Sequence, residues 1–262
     1  MRLSISNIAW DKKHDAVVYE AMRDLGYEGL EIAPTRLFPE AAYEHGEDVG
    51  ALAGFLRTAY GITICSMQSI WYGRQERLFG TQAERDTLYG YTKTALEFAK
   101  SAGCRNLVFG NPKNRCIGKD GDIKDAISFF RGLGELAKQY GAVIAVEPNP
   151  VIYGTDFLNT TEDTAGFVRD VGIDGIRLNL DFGTIVFEDE GLGQVAKNMD
   201  IVSHVHISEP GLAAVSRRYS HEELAELLMK SGYGGYVSIE MRRQESVKDV
   251  IDTMEYVKRI FG

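Results

Sequence analysis

The sequence predicts an α/β protein, a single closed (β/α)8 barrel of the TIM type formed by residues 1–262. Three observations predict it. Short runs rich in β-branched residues recur eight times. Between them lie stretches with apolar residues at three and four spacing, the period of an amphipathic helix. Most of these stretches end on a glycine, and the next apolar run begins within a few residues, as in a chain of βα units. The strand candidates are nearly continuous in apolar character, which is the signature of parallel strands covered on both faces. The composition allows such a fold: 44% of the 262 residues are hydrophobic and 26% are charged. The length suits one α/β barrel of about 250 residues, enough to bury a core without covalent staples.

The elements follow in order. The first strand is expected over residues 3–8 and runs into Asn7, Ile8, Ala9, Trp10 and Asp11 with no glycine. That absence counts against an open doubly wound sheet, whose first turn usually carries a Gly-rich phosphate loop. A helix over 16–25 ends at Gly26, and strand 29–33 follows. Helix 49–60 ends at Gly61, strand 62–67 follows, and a long loop runs from Ser69 to Gly80. Helix 84–102 ends at Gly103 before strand 106–109, and helix 123–140 ends at Gly141 before strand 143–147. Thr160 and Thr161, followed by Glu162 and Asp163, supply a threonine cap and an acidic first turn for helix 162–171. Gly172 then precedes strand 176–181. A weaker helical pattern over 193–199 precedes strand 202–207. Ser220 and Glu223 have capping-box spacing for a helix over 222–230, closed by Gly232. Strand 236–240 and helix 247–260 complete the set.

Charge excludes some functions. Lys and Arg number 29 against 38 Asp and Glu, a net charge of −9, which makes nucleic acid and anionic membranes poor partners. No uninterrupted apolar run approaches the roughly 18 residues of a membrane span. Cys65, Cys104 and Cys116 are too scattered for a disulfide framework or a metal knuckle. They read as reduced thiols, and with no leader pattern in residues 1–10 a cytoplasmic protein is expected. A homo-oligomer is left open.

In a parallel barrel, chemistry gathers where strands end and βα loops begin. The polar residues there are Trp10, Glu31, Gln68 with Trp71, Asn111, Glu147 with Asn149, Asp181, His206 with Glu209, and Glu240 with Arg242. Four of them form a set on consecutive strands: Glu147, Asp181, His206 and Glu240. Unpartnered buried carboxylates are expensive, and three at one barrel mouth would repel one another. One divalent cation is the simplest compensation. Carboxylate oxygens with one imidazole nitrogen suit Mn²⁺, Mg²⁺ or Co²⁺ better than Zn²⁺. A lone strand-end glutamate pairs with a cation more often than it binds metal, so the expectation rests on the set. His204, two residues before His206, reads as a core residue of the same barrel face.

These residues carry a resemblance. From Asn7 through Glu240 the chain resembles the sugar-phosphate isomerase/epimerase superfamily of xylose-isomerase-like barrels, and within it the ketose 3-epimerase, hydroxypyruvate isomerase and inosose dehydratase branch. The resemblance implies that Glu147, Asp181, His206 and Glu240 bind one divalent metal, and that Glu147 and Glu240 act as acid and base on opposite faces of the substrate. The chain departs from that pattern at three places. Thr184 stands where family members often have a substrate-touching histidine. Pro210, Gly211 and Leu212 stand where an arginine is usual. The Tyr153–Gly154 region replaces a substrate-binding glutamate.

The expected chemistry is proton transfer next to a carbonyl through an enediolate, giving epimerisation or isomerisation, with dehydration as the alternative outcome. Trp10, Glu31, Gln68, Trp71, Asn111, Asn149, Glu209 and Arg242 are the expected substrate contacts. Arg74, Arg77, Lys113, Arg115, Lys119, Arg217, Arg218, Arg242 and Arg243 fall in the expected mouth loops. They suggest a carbohydrate substrate bearing a negative charge. A nuclease on the same barrel would need more histidines than the five present. A noncatalytic sugar-binding barrel is the other rival.

Overall fold

The structure, a computed structural model, describes residues 1–119 and 121–262. Eight parallel strands close into a barrel in sequence order: β1 (Arg2–Ser6), β2 (Gly29–Ile32), β3 (Thr63–Met67), β4 (Asn106–Phe109), β5 (Val143–Val146), β6 (Ile176–Asp181), β7 (Val202–Ile207) and β8 (Tyr236–Ile239). The ring closes through β1 and β8, where Leu3 pairs with Val237 and Ile5 with Ile239. Register shifts between Leu30 and Glu31 and between Leu178 and Asn179 fall on two strands that lead to the mouth.

The helices are α1 (Asp15–Leu25), α2 (Pro34–Leu37), α3 (Gly46–Tyr60), α4 (Gln82–Ala102), α5 (Ile123–Gln139), α6 (Thr161–Val171), α7 (Phe182–Phe187), α8 (Leu192–Asn198), α9 (Tyr219–Lys230) and α10 (Val247–Phe261). The glycines expected to end helices do so: Gly26 takes φ 76° and its N–H bonds the last turn of α1, a conformation that costs a side-chain-bearing residue energy. Thr160 caps α6 by accepting the Asp163 N–H at 3.0 Å. The capping box expected at Ser220 does not form. Helix α9 begins at Tyr219, three residues before the expected start, which puts Ser220 inside the helix and Arg218 at the N-cap, its N–H bonded to the Tyr256 hydroxyl at 3.1 Å. A capping box forms instead at Thr81 and Glu84, at the head of α4. The first strand stops at Ser6, and Asn7–Ala9 turn into a single 3-10 turn.

The two sides of the sheet differ in chemistry. Leu3, Ile5, Leu30, Ile32, Leu107, Phe109, Ile144, Val146, Leu178, Leu180, Val205, Ile207, Val237 and Ile239 are buried and belong to the one apolar cluster shared with the helices. Most of the alternate residues are polar and also buried: Ser4, Ser6, Glu31, Asn106, Asn179, His204, His206 and Ser238, with Val108 and Ala145 as apolar exceptions. Glu31 on β2 touches His206 on β7, three strands away through the β1–β8 seam and five the other way. That contact crosses the barrel interior, so the polar set fills the axis and the apolar set lies under the helices. Hydrophobic stabilisation is therefore concentrated in the sheet–helix layer.

Candidate functional site

Four strand ends converge at the mouth. The β-ladder continues one residue beyond β5 and β8, with the Glu147 N–H bonding the Phe109 carbonyl and the Glu240 N–H bonding the Ile207 carbonyl, both at 3.0 Å. This fixes both glutamates at the rim. Asp181 ends β6 and caps α7, accepting the Thr184 N–H at 2.7 Å. His206 is the penultimate residue of β7. One ligand atom from each of Glu147, Asp181, His206 and Glu240 lies within 4.8 Å of all the others. All four residues are buried.

The imidazole orientation is set from behind. His206 Nε2 lies 3.0 Å from Glu31 Oε2, and His206 Nδ1 lies 2.8 Å from Glu147 Oε1 and 3.2 Å from Glu240 Oε2. A proton held on Nε2 by the Glu31 carboxylate leaves the Nδ1 lone pair facing the other carboxylates, the second-layer arrangement that orients metal-binding histidines. His204 Nε2 lies 3.1 Å from the same Glu31 oxygen. Asn179 donates to Glu147 Oε1 at 2.7 Å, and Asn149 donates to Glu147 Oε2 at 3.1 Å. Ser208 donates to Asp181 Oδ1. The Thr184 hydroxyl, 2.8 Å from Asp181 Oδ2 and 3.0 Å from the Pro148 carbonyl, shares its one hydrogen between them. Arg115 is buried and donates to the backbone carbonyls of Glu147, at 2.8 Å, and Leu158, at 3.3 Å. Gly110 completes the packing: a Cβ there would sit 2.7 Å from Glu147 Oε2, so no side chain fits while the carboxylate keeps its place.

The electrostatics show the strain of this assembly. Burial, reinforced by the Glu147 charge, raises the Asp181 carboxyl to about 6. Burial raises Glu240 to about 7, with Glu147 and Asp181 adding to the effect. Burial would lower His206, but the Glu31 and Glu240 charges overcome it and push its pKa well up. Burial would likewise raise Glu31, and His206 and His204 reverse that. Three carboxylates face one imidazole, so the donor set fits a hard or borderline divalent cation. The residues present could hold one, with Glu147, Asp181, His206 and Glu240 as donors. A second group, Glu31 with His204 and His206, also has ligand spacing. It is fully enclosed, and its contacts are internal to the barrel.

A cavity of about 220 Å³ opens over the four residues. Gln68, Asn111 and Asn149, read from the sequence as substrate contacts, line it together with Glu147, Asp181 and Glu240. The other five expected contacts stand elsewhere. Glu31 is fully buried beneath His206, so its substrate role is corrected to support of the imidazole. Trp71 is fully buried; its N–H bonds the Thr92 hydroxyl at 2.8 Å and its ring meets Phe109 edge-on. It is a core residue, folded under its loop by α4. Trp10 is buried with its N–H on Asp15 at 2.8 Å. Glu209 is buried and committed to Arg218, at 2.6 and 2.7 Å. Arg242 is exposed and outside the cavity lining.

Most of the arginines expected at the mouth are engaged elsewhere. Arg74 pairs with Glu76, Arg77 with Glu84, Arg218 with Glu209 and Arg243 with Asp11. Arg217 lies 5.7 Å over the Tyr256 ring. Among the described residues, no Lys or Arg lines the cavity. Tyr153 and Leu212, named from the sequence only as departures from the family pattern, both line the cavity. The Tyr153 hydroxyl accepts the Gly211 N–H at 2.9 Å and joins the loops after β5 and β7. The sequence reading missed Asn179, although the parity of Asn179 with Asp181 on one strand face was there to read.

Fold and site together define a (β/α)8 barrel whose mouth is built on a buried carboxylate–imidazole cluster. The chain belongs to the xylose isomerase-like TIM barrel family, which residues 19–260 match. Sequence comparison with curated proteins finds no match. Among solved structures, the 3-keto-D-glucoside 4-epimerase YcjR of E. coli superposes with a TM-score of 0.79 at 21% identity, covering 99% of each chain. The D-psicose 3-epimerase of Clostridium cellulolyticum H10, solved with D-tagatose, gives 0.79 at 17% identity, covering 100% of this chain and 99% of its own. An AP endonuclease, family 2, of Brucella melitensis gives 0.72 at 17% identity, covering 95% and 96%. Identities this low speak to the fold. No helix among the described residues is long and apolar enough to cross a membrane.

Proposed function

We propose that the protein is a divalent-metal-dependent sugar epimerase or isomerase that moves a proton next to a carbonyl group. The observation that carries this reading is the convergence of Glu147, Asp181, His206 and Glu240 within 4.8 Å under one cavity. Glu147, Asp181, His206 and Glu240 would hold the ion, of which Mn²⁺, Mg²⁺ and Co²⁺ suit the donors best. When bound, such an ion supplies stabilisation of the negative charge that grows on the carbonyl oxygen as the neighbouring C–H is broken.

The chain's own residues do the rest. Glu147 and Glu240 come from strands three apart round the ring and both line the cavity; in this reading each would take or return a proton at the sugar carbon. Return to the same carbon from the other side gives epimerisation; return to the neighbouring carbon gives isomerisation. Asn149 and Asn179 hold the Glu147 carboxylate in place. Gln68 and Asn111 offer amide groups to sugar hydroxyls. With no cationic residue in the lining, the substrate in this reading is a neutral carbohydrate. A cavity this small, in a chain of net charge −9, favours a small sugar over a nucleic acid. A cytoplasmic location accords with three free cysteines.

The test is solvent deuterium exchange into ketoses by protein supplied with Mn²⁺, followed by NMR. The wild type should place deuterium on the carbon next to the carbonyl. Glu147→Gln and Glu240→Gln should each cut exchange by about a hundredfold or more, the scale of general acid–base catalysis. Turnover retained in either variant rejects the paired-carboxylate mechanism. Loss of water from the sugar would reassign the same site to dehydration.

A further inference from the structure

A second, larger cavity adjoins the first. It measures about 890 Å³, against about 220 Å³ for the cavity over the carboxylates, and Ser69 lines both. Its walls come from the segments after β1, β2 and β3 and from α4, so it opens on the same end of the barrel. The inner cavity falls below the roughly 300–1,000 Å³ of pockets that take drug-sized ligands, and suits one sugar ring. The outer cavity lies near the top of that range and exceeds what one ring needs.

The outer walls are chemically distinctive. Tyr43, Tyr72 and Tyr91 line the cavity among small apolar residues such as Ala33, Pro39 and Ala42. Tyr72 is 66% exposed, an unusual amount of bare ring for a loop that otherwise packs inward at Ile70 and Trp71. The one lining cation, Arg36, is already held by Asp15 at 2.6 and 3.1 Å, so no free positive charge awaits a phosphate or carboxylate. The Tyr43 hydroxyl donates to the Ile70 carbonyl at 2.7 Å and Arg74 lies 4.8 Å over the Tyr91 ring, so the exposed Tyr72 ring is the face that matches the C–H face of a sugar ring.

We infer that the substrate is a glycoside-type sugar: the reacting ring sits over the four acidic and imidazole residues, and a second neutral sugar unit attached to it occupies the outer cavity against Tyr72. This rests on the proton-transfer reading above for the identity of the reacting end. Ser69 marks where the link would pass.

The experiment compares binding of D-fructose with three disaccharides carrying glucose on O4, O5 or O6 of fructose, by calorimetry on Mn²⁺-supplied protein. At least one disaccharide should bind ~10-fold or more tightly than fructose. Tyr72→Ala, which removes the exposed ring, and Thr94→Trp, which fills the cavity from the exposed face of α4, should each bring that ratio close to one. Disaccharides that all bind no tighter than fructose, or a ratio unchanged in both variants, overturn the inference. Deuterium exchange in the same samples tests the reaction separately. If sugars bind without exchange, the proton-transfer reading fails, and the affinity ratio still decides this one.

Discussion

At the residue scale, Glu31 carries more than its position suggests. One oxygen of its carboxylate faces His206 at 3.0 Å and His204 at 3.1 Å, in a fully buried setting. A carboxylate behind a metal-binding imidazole fixes its tautomer and raises its basicity, and loss of such a partner typically costs 10–100-fold in metal affinity. Glu31→Gln keeps the shape and removes the charge. Calorimetry with Mn²⁺ should show affinity lower by about that factor; an unchanged affinity would mean that His206 is oriented by other contacts. The same residue shows where sequence reading stops. A carboxylate at the end of β2 looks like a sugar contact, and only the approach of His204 and His206 from across the barrel shows it to be enclosed. Trp71 was misread for a similar reason: loop membership suggested exposure, and the Thr92 hydroxyl that buries it lies 21 residues away.

At the element scale, the long helices and all eight strands were legible because period and glycine punctuation agree. Helices α2 and α7 were not. In α7, Phe182–Phe187 is a short β-branched and aromatic run that starts directly on a strand, and what turns it into a helix is the Asp181 carboxylate capping the Thr184 N–H. The quartet at the mouth was legible because each member sits at a strand end. The absence of cations in the cavity was not, because the partners of Arg74 and Arg218 are set by how the loops fold. The packing of α9 against α10 has a consequence for acid stability. His221 on α9 lies 2.8 Å from the Tyr256 hydroxyl of α10, and its ring packs on Phe182 at 4.4 Å. Burial lowers its pKa to about 4, whereas an unfolded chain protonates histidine near 6.5. Between these values the unfolded state binds the extra proton, so stability falls as the pH drops from about 6.5 to about 4, by roughly 2–3 kcal/mol from this residue. Urea titrations should show that slope in the wild type and a flatter one in His221→Gln; parallel slopes would assign the loss to other groups.

For the whole molecule, the pH response without metal runs the other way. Asp181, at about 6, and Glu240, at about 7, keep protons that an unfolded chain releases near 4. His206, pushed well up, keeps one that an unfolded chain releases near 6.5. The folded state binds more protons, so the two carboxylates cost stability as the pH rises from about 4 through 7, and His206 costs it from about 6.5 upward. In the proposed reading a divalent ion would take the place of those protons, and its affinity should climb with pH. The melting temperature should therefore gain little from Mn²⁺ at pH 5 and much more at pH 8. A gain independent of pH would show that the ion binds somewhere other than this cluster.

The barrel is also divided along its sequence. Glu147, Asp181, His206 and Glu240 all lie on β5 to β8 or directly after them, while every residue lining the outer cavity falls between Ile8 and Thr94. In the proposed reading, the reaction is inherited with the second half of the chain and much of the choice of substrate with the first. Descendants of such a barrel can diversify their diet by rewriting one half-barrel while the other carries its chemistry forward; the halves join through the β4–β5 and β8–β1 ladders, and across the interior Glu31 reaches from the first half to the histidines of the second.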